Sequence, residues 1–162
     1  MMSAMSKHLS IDLTYDAPVS EVTAMLADPA FRERVCDAQH ALSRRVTIEG
    51  STVSIAYTQP VQGVPGFAKK FVGDTIDVRQ NETWSAEFTT GQITVTLPGK
   101  PGDLTGTATV AERDGATVET VALTASVSVP LVGGKLEELV LSIFEKALTK
   151  EHEVGTAWLR GE

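Results

Sequence analysis

Glu151 is the residue of this chain best placed to do chemistry. It falls within a stretch from Gly133 to about Arg160 whose apolar positions, Leu136, Val140, Ile143, Phe144, Ala147, Val154 and Trp158, share one helical face. At about 100° per residue, Glu151 lies roughly 20° from Val140, near the centre of that stripe. A carboxylate aimed into an apolar interior would have a raised pKa and could hold a ligand hydroxyl or act as general acid or base. The alternative is a helix that overhangs its support there, with Glu151 reaching water over a buried stem. His152 sits roughly 120° from the stripe centre and is expected at the surface.

Other polar-tipped residues fall on alternating segments. If the Val53-Ile55-Tyr57-Gln59 face points inward, Tyr57 and Gln59 would supply orienting hydrogen bonds in an apolar pocket, as would Trp84. A core tyrosine with a satisfied hydroxyl is the alternative. Phe88, Leu97, Val140, Phe144 and Ala147 are expected either as walls of such a pocket or as plain core. The segment Val61-Gln-Gly-Val-Pro-Gly-Phe67 is unusually apolar for a connection. It reads either as a contact surface or gate, with Gly63 and Gly66 as pivots and Phe67 as plug, or as Val64 and Phe67 tucked into the core edge.

Several chemistries are not supported. Cys36 is the only cysteine, so no internal disulfide can form, and nothing beside it suggests a nucleophile. His8 and His40 have no partners at ligand spacing, so neither a metal nor a cofactor is called for. Gly133-Gly134-Lys135 invites a phosphate-loop reading, but Val129 and Leu136 stand where that motif needs glycine and serine or threonine. No Gly-x-Ser-x-Gly elbow is present.

The elements that must position these residues are legible from periodicity. Residues 8–15 alternate as a half-buried strand, with Leu9, Ile11, Leu13 and Tyr15 on one face. A helix is expected from about Pro18 to Ala27, and Asp28-Pro29 restarts a second one through about Asp37. Period two then holds from about Ala41 to Pro130. Turns are expected at Glu49-Gly50-Ser51, Asn81-Glu82, Pro98 to Gly102 and Arg113 to Gly115, with a strand or pair between Ala68 and Val78. A bulge at Thr89 to Gly91 would explain the change of phase between Phe88 and Ile93. The last strand is expected to run from Val121 to Val129, followed by the long helix.

The chain has 162 residues, a net charge of −7 and a pI near 5.0. This balance argues against nucleic-acid binding, and the basic pairs Arg32/Arg34, Arg44/Arg45 and Lys69/Lys70 read as solvated surface pairs. Lone cysteine usage, the absence of a leader-like start and of any run of ~20 apolar residues lead to an expectation of a cytoplasmic protein without a membrane span. Residues 1–6 are expected to add little structure, and residues 7–160 to form one domain.

The order of elements resembles the START-like superfamily, also called SRPBCC or birch-pollen-allergen-like. The likeness is carried by Tyr15-Asp-Ala-Pro-Val-Ser-Glu-Val, where a first strand opens a helix, and by Val129-Pro-Leu-Val-Gly-Gly-Lys-Leu-Glu, where the last strand hands over to the long helix. It spans about Lys7 to Arg160 and looks closest to an uncharacterised bacterial branch, a domain of unknown function. The resemblance implies an α+β helix-grip fold: a curved antiparallel sheet of about six or seven strands wrapped on a long C-terminal helix, with two short helices after the first strand. It also implies a cavity between sheet and helix, but not one chemistry, because the superfamily hosts carriers, cyclases, hydrolases and chaperone activators.

Three readings follow. The first is binding or carriage of a small hydrophobic or amphipathic molecule of lipid, polyketide or isoprenoid type; the lack of a convergent catalytic set favours it. The second is a cavity enzyme for cyclisation, dehydration or hydrolysis, with Glu151 as acid or base and Tyr57 assisting. The third is a protein-interaction domain that docks through residues 61–67 over a filled interior. A continuous cavity of about 300 Å³ or more would favour the first two. The sequence sets neither the ligand nor the oligomeric state.

Overall fold

A computed structural model describes residues 6–162, so the expectation for the first residues lies, over 1–5, outside the described part of the chain. The elements run β1 (Lys7–Tyr15), α1 (Val19–Leu26), α2 (Pro29–Ala38), β2 (Ser43–Glu49), β3 (Thr52–Pro60), α3 (Gly66–Val72), β4 (Thr75–Trp84), β5 (Thr90–Thr96), β6 (Gly102–Arg113), β7 (Ala116–Val127) and α4 (Gly133–Leu159). The strands form one seven-stranded antiparallel sheet in the order β1-β7-β6-β5-β4-β3-β2. Helix α4 packs on β1 and β7, and α1 and α2 contact both α4 and the sheet. This is the α+β helix-grip architecture expected from the order of elements. Among the described residues no helix is long and apolar enough to cross a membrane.

Strand alternation decides which residues face α4. Along β4, Ile76, Val78, Glu82 and Trp84 are buried while Asp77 and Arg79 are exposed; along β7, Glu119, Val121, Leu123 and Ala125 share the buried phase. The main core joins these residues to Val22, Met25 and Leu26 of α1, Phe31 and Val35 of α2, and Val140, Leu141 and Phe144 of α4. The Asp28 side chain caps α2 by accepting from Ala30 N at 2.9 Å, as its sequence position suggests. Gly155 lets α4 approach β1 closely: a Cβ there would lie 2.8 Å from Tyr15 Cε1.

Four sequence expectations are corrected. Between residues 66 and 72 the chain forms α3, not a strand, because Ala68 and Val72 are buried four apart while Phe67, Lys69 and Lys70 face out. Asn81-Glu82 lies inside β4, where Glu82 continues the inward phase of Ile76 and Val78. The change of phase before Ile93 is a tight turn, not a bulge. Ser85 Oγ accepts from Thr89 N and Thr90 N at 3.1 and 3.2 Å, and Phe88 takes φ 58°. Strand β7 ends at Val127, short of Val129.

Leu131, in the turn before α4, combines φ 72° with complete exposure. A left-handed conformation is unfavourable for leucine by about 1–2 kcal/mol, and asparagine tolerates it better. Leu131→Asn is therefore expected to leave stability unchanged or raise it by up to about 1 kcal/mol, read by thermal melting. A clear loss of stability would show that Leu131 has a folding role.

Candidate functional site

The interior between sheet and α4 is more polar than its apolar frame suggests. From α2, Arg32 (4% exposed) sends its Nε to the Leu26 carbonyl at 2.8 Å and both terminal nitrogens to Glu82 of β4, at 3.1 and 2.9 Å. Trp84 Nε1 donates to Glu82 Oε1 at 2.8 Å, and Gln80 Nε2 donates to Oε2. Four donors thus occupy the two carboxylate oxygens. Burial pushes the Glu82 carboxyl up, but the Arg32 charge and the bonds from Trp84, Arg32 and Gln80 outweigh it and hold the group below its usual range.

A second carboxyl pair lies beside this closed set. Glu119 of β7, 3% exposed, and Glu151 of α4 hydrogen-bond to each other. Burial, and then the Glu151 charge, push Glu119 well above the ordinary carboxyl range. Burial also raises Glu151, against the opposing charge of Arg32. Burial thus favours the protonated form across this pair. Glu119 Oε1, Glu151 Oε2 and the buried Tyr15 hydroxyl are left without hydrogen-bond partners. The same two carboxyls act on Tyr15: burial first, then the charges of Glu151 and Glu119, push its hydroxyl up.

These directions fix a pH dependence. Carboxyls whose folded pKa is raised stabilise the fold fully below their unfolded value, near 4.5, and that contribution is lost as pH rises through the folded values. Glu119→Gln, which keeps a donor to Glu151 and removes one titrating group, should shrink the fall in melting temperature between mildly acidic and mildly basic buffer. An unchanged fall would show that the pair does not titrate in this range.

Glu151 also lines a cavity of about 60 Å³ between sheet and α4. Its walls are mainly Val35, Ile55, Ile93, Val95, Val121, Leu123, Phe144, Ala147 and Leu148, with Arg32, Gln39, Tyr57, Gln80 and Glu151 as polar members. The volume is well below the roughly 300 Å³ expected for a drug-sized ligand pocket, because the facing side chains fill much of the interior. Cys36 also borders the cavity. Burial pushes its thiol up to about 11, which suits an inert core thiol.

Of the candidate residues, Tyr57, Phe144, Ala147 and Glu151 meet at this cavity. Trp84 and Phe88 lie outside its lining, stacked on each other at 5.4 Å between ring centroids, with Trp84 holding Glu82. Gln59 is half-buried near the end of β3, opposite Ile76 and away from the cavity. Val140 borders a separate apolar space of about 30 Å³ with Phe71, Ile76, Leu97 and Leu136. Val64 packs on a second cluster of Ala68, Val72, Val127 and Leu136. Phe67 opens α3 at 38% exposure, with Lys135 Nζ 5.7 Å from its ring centroid, so it does not plug the cavity. His152 is not a free surface residue: its Nε2 lies 2.7 Å from the Thr14 carbonyl oxygen, and its ring is 5.2 Å from that of Tyr15.

Sequence reasoning missed Arg32, Gln80, Glu82 and Glu119 as interior residues. Arg32, read as half of a solvated pair with Arg34, is fully committed inside, whereas Arg34 lies over the Trp158 ring at 5.5 Å. A signal existed for the others. Gln80 and Glu82 share the strand phase of Ile76, Val78 and Trp84, and Glu119 shares that of Val121 and Leu123.

Over 118 residues the chain is 27% identical to the uncharacterised protein Rv0481c of Mycobacterium tuberculosis (strain ATCC 25618 / H37Rv), covering 68% of each chain. In fold it is similar to the Zhui aromatase/cyclase of Streptomyces sp. R1128. The TM-score is 0.67 at 12% identity, over 94% of this chain and 92% of that one. It is similar also to Ara h 8.0201, with a TM-score of 0.65 at 13% identity over 97% and 99% of the two chains. These likenesses show the START-like, helix-grip fold. The family model described as "Protein of unknown function (DUF2505)" matches residues 10–159, and the chain belongs to that family.

Proposed function

We propose that the protein binds a small amphipathic molecule between the sheet and α4, its apolar part against the aliphatic walls and its polar end at Glu151. The observation that carries this reading is a cavity of mixed lining beside a buried carboxylate oxygen, Glu151 Oε2, that has no partner. Leaving such a group unsatisfied costs about 1–3 kcal/mol, which a ligand donor would recover. The volume of about 60 Å³ admits a group of only a few heavy atoms as the side chains stand. A lipid, polyketide or isoprenoid body would require Phe144 and α4 to move away from the sheet.

The test uses 1-butanol as probe, followed by methyl NMR. Shifts confined to Val35, Ile55, Ile93, Val95, Val121 and Leu123, and abolished in Ala147→Trp, are expected. Shifts scattered over surface methyls, or unchanged in Ala147→Trp, would overturn the reading.

A second reading has its own observation. Leu131 is wholly exposed and Phe67 is 38% exposed, on the segments that flank the start of α4, and the interior is mostly filled. A protein partner docking there would bury both. Loss of a co-purifying partner in Leu131→Asn, with stability intact, would favour that reading over the cavity.

A further inference from the structure

We propose that the end of the molecule formed by α3, the turn before α4 and the turn at residues 98–102 docks on an anionic lipid surface. The proposal goes beyond the cavity reading and does not depend on it. Two apolar side chains project there that the core does not use. Leu131 is wholly exposed and held at φ 72°, a conformation that is costly for leucine, and Phe67 opens α3 at 38% exposure. Beside them, Val64 and Phe71 are half-buried against the cluster of Ala68, Val72, Val127 and Leu136 that joins α3 to the start of α4.

Charge at this end runs against that of the whole chain. The net charge is −7, yet five of the seven lysines, Lys7, Lys69, Lys70, Lys100 and Lys135, gather here. Their contacts place them around the apolar residues. Lys135 Nζ lies 5.7 Å from the Phe67 ring centroid, and Lys70 Nζ lies 5.2 Å from that of Phe71. Lys100 shares the apolar space of about 30 Å³ with Phe71 and Leu136, and a Cβ on Gly134 would lie 3.7 Å from Lys7 Cε. Asp74, Asp103 and Glu138 are exposed acids nearby. Among the described residues, only Asp74 is ion-paired with one of these lysines, Lys69 at 4.0 Å.

The residue types select a lipid surface over an acidic protein. The cations that these contacts place beside Phe67 and Phe71 are lysines. Protein interfaces favour arginine and are depleted in lysine, whereas a fluid array of anionic headgroups needs charge without a fixed fork geometry. A lysine stem lies along apolar surface while its ammonium reaches outward. Phe67 and Leu131 can therefore enter the acyl boundary while the lysines stay at headgroup level.

The experiment floats the intact protein with vesicles of phosphatidylcholine, alone or with a third of phosphatidylglycerol, at about 50 mM and about 500 mM salt. Binding is expected only to the vesicles with phosphatidylglycerol, and at least about ten-fold weaker at the higher salt. Leu131→Asn should weaken it at least about three-fold through lost apolar insertion. Lys69→Gln combined with Lys135→Gln should weaken it about ten-fold or more. Both variants should keep the wild-type melting temperature to within a few degrees. Lys146→Gln combined with Lys150→Gln, farther along α4, should leave binding unchanged, which separates a directed surface from general attraction. Equal binding by Leu131→Asn, an equal loss in the Lys146 and Lys150 double variant, or binding that ignores phosphatidylglycerol each overturns the proposal. Absence of binding at the lower salt also overturns it, and leaves Phe67 and Leu131 to a protein partner. The 1-butanol test of the cavity stands apart from all of these results.

Discussion

Arg32→Met is expected to destabilise the protein by about 3–5 kcal/mol, because it strands the Glu82 carboxylate in the interior without its bidentate partner. For a chain of this size, that corresponds to a drop in melting temperature of roughly 6–20 °C. The loss should deepen above the ordinary glutamate range. There Glu82 must either stay charged without Arg32 or take up a proton, whereas in the wild type Arg32 keeps it ionised. Replacing both partners, Arg32→Met with Glu82→Met, should restore much of the stability, since a buried ion pair often contributes little beyond an apolar pair of similar size. A single variant that melts within a degree or two of wild type would show that the pair is not buried in solution.

Phe144→Ala carries the other large effect. Phe144 is a buried member of α4, packed in the main core and bordering the cavity. Removing its ring should cost about 3–5 kcal/mol in denaturant unfolding, through lost burial and the void left behind. The same substitution enlarges the space beside Glu151, so a longer alcohol such as 1-hexanol should bind better to the variant than to wild type. Destabilisation without any gain in 1-hexanol binding would mean that the void collapses or is not continuous with the cavity. A loss below about 1 kcal/mol would place Phe144 outside the packed core.

The parts of this fold that the sequence reveals are those where period and burial agree. The α4 stripe from Leu136 to Trp158, the alternation of Leu9 to Tyr15 and the Asp28 cap all matched the structure, because each is a local pattern with one physical solution. Helix α3 was hidden because its seven residues offer only Ala68 and Val72 as a buried pair, too few for a period to declare itself. The polar interior was hidden for a different reason. Charged residues default to the surface, and the justification for burying Arg32 lies 50 positions away at Glu82. Glu151 was identifiable because its position on an apolar stripe is a local anomaly. Its partner Glu119 was equally anomalous on β7, but a single glutamate among alternating threonines and valines is easily assigned to the outer face.

The most direct test of cavity binding is native mass spectrometry of the gently purified protein, wild type beside Ala147→Trp, with solvent extraction of whatever dissociates. Ala147 borders the cavity on α4, and an indole there would fill it. The cavity account predicts a discrete added mass of a small amphipathic molecule on the wild type and a bare chain for Ala147→Trp. The same added mass on both proteins would contradict it.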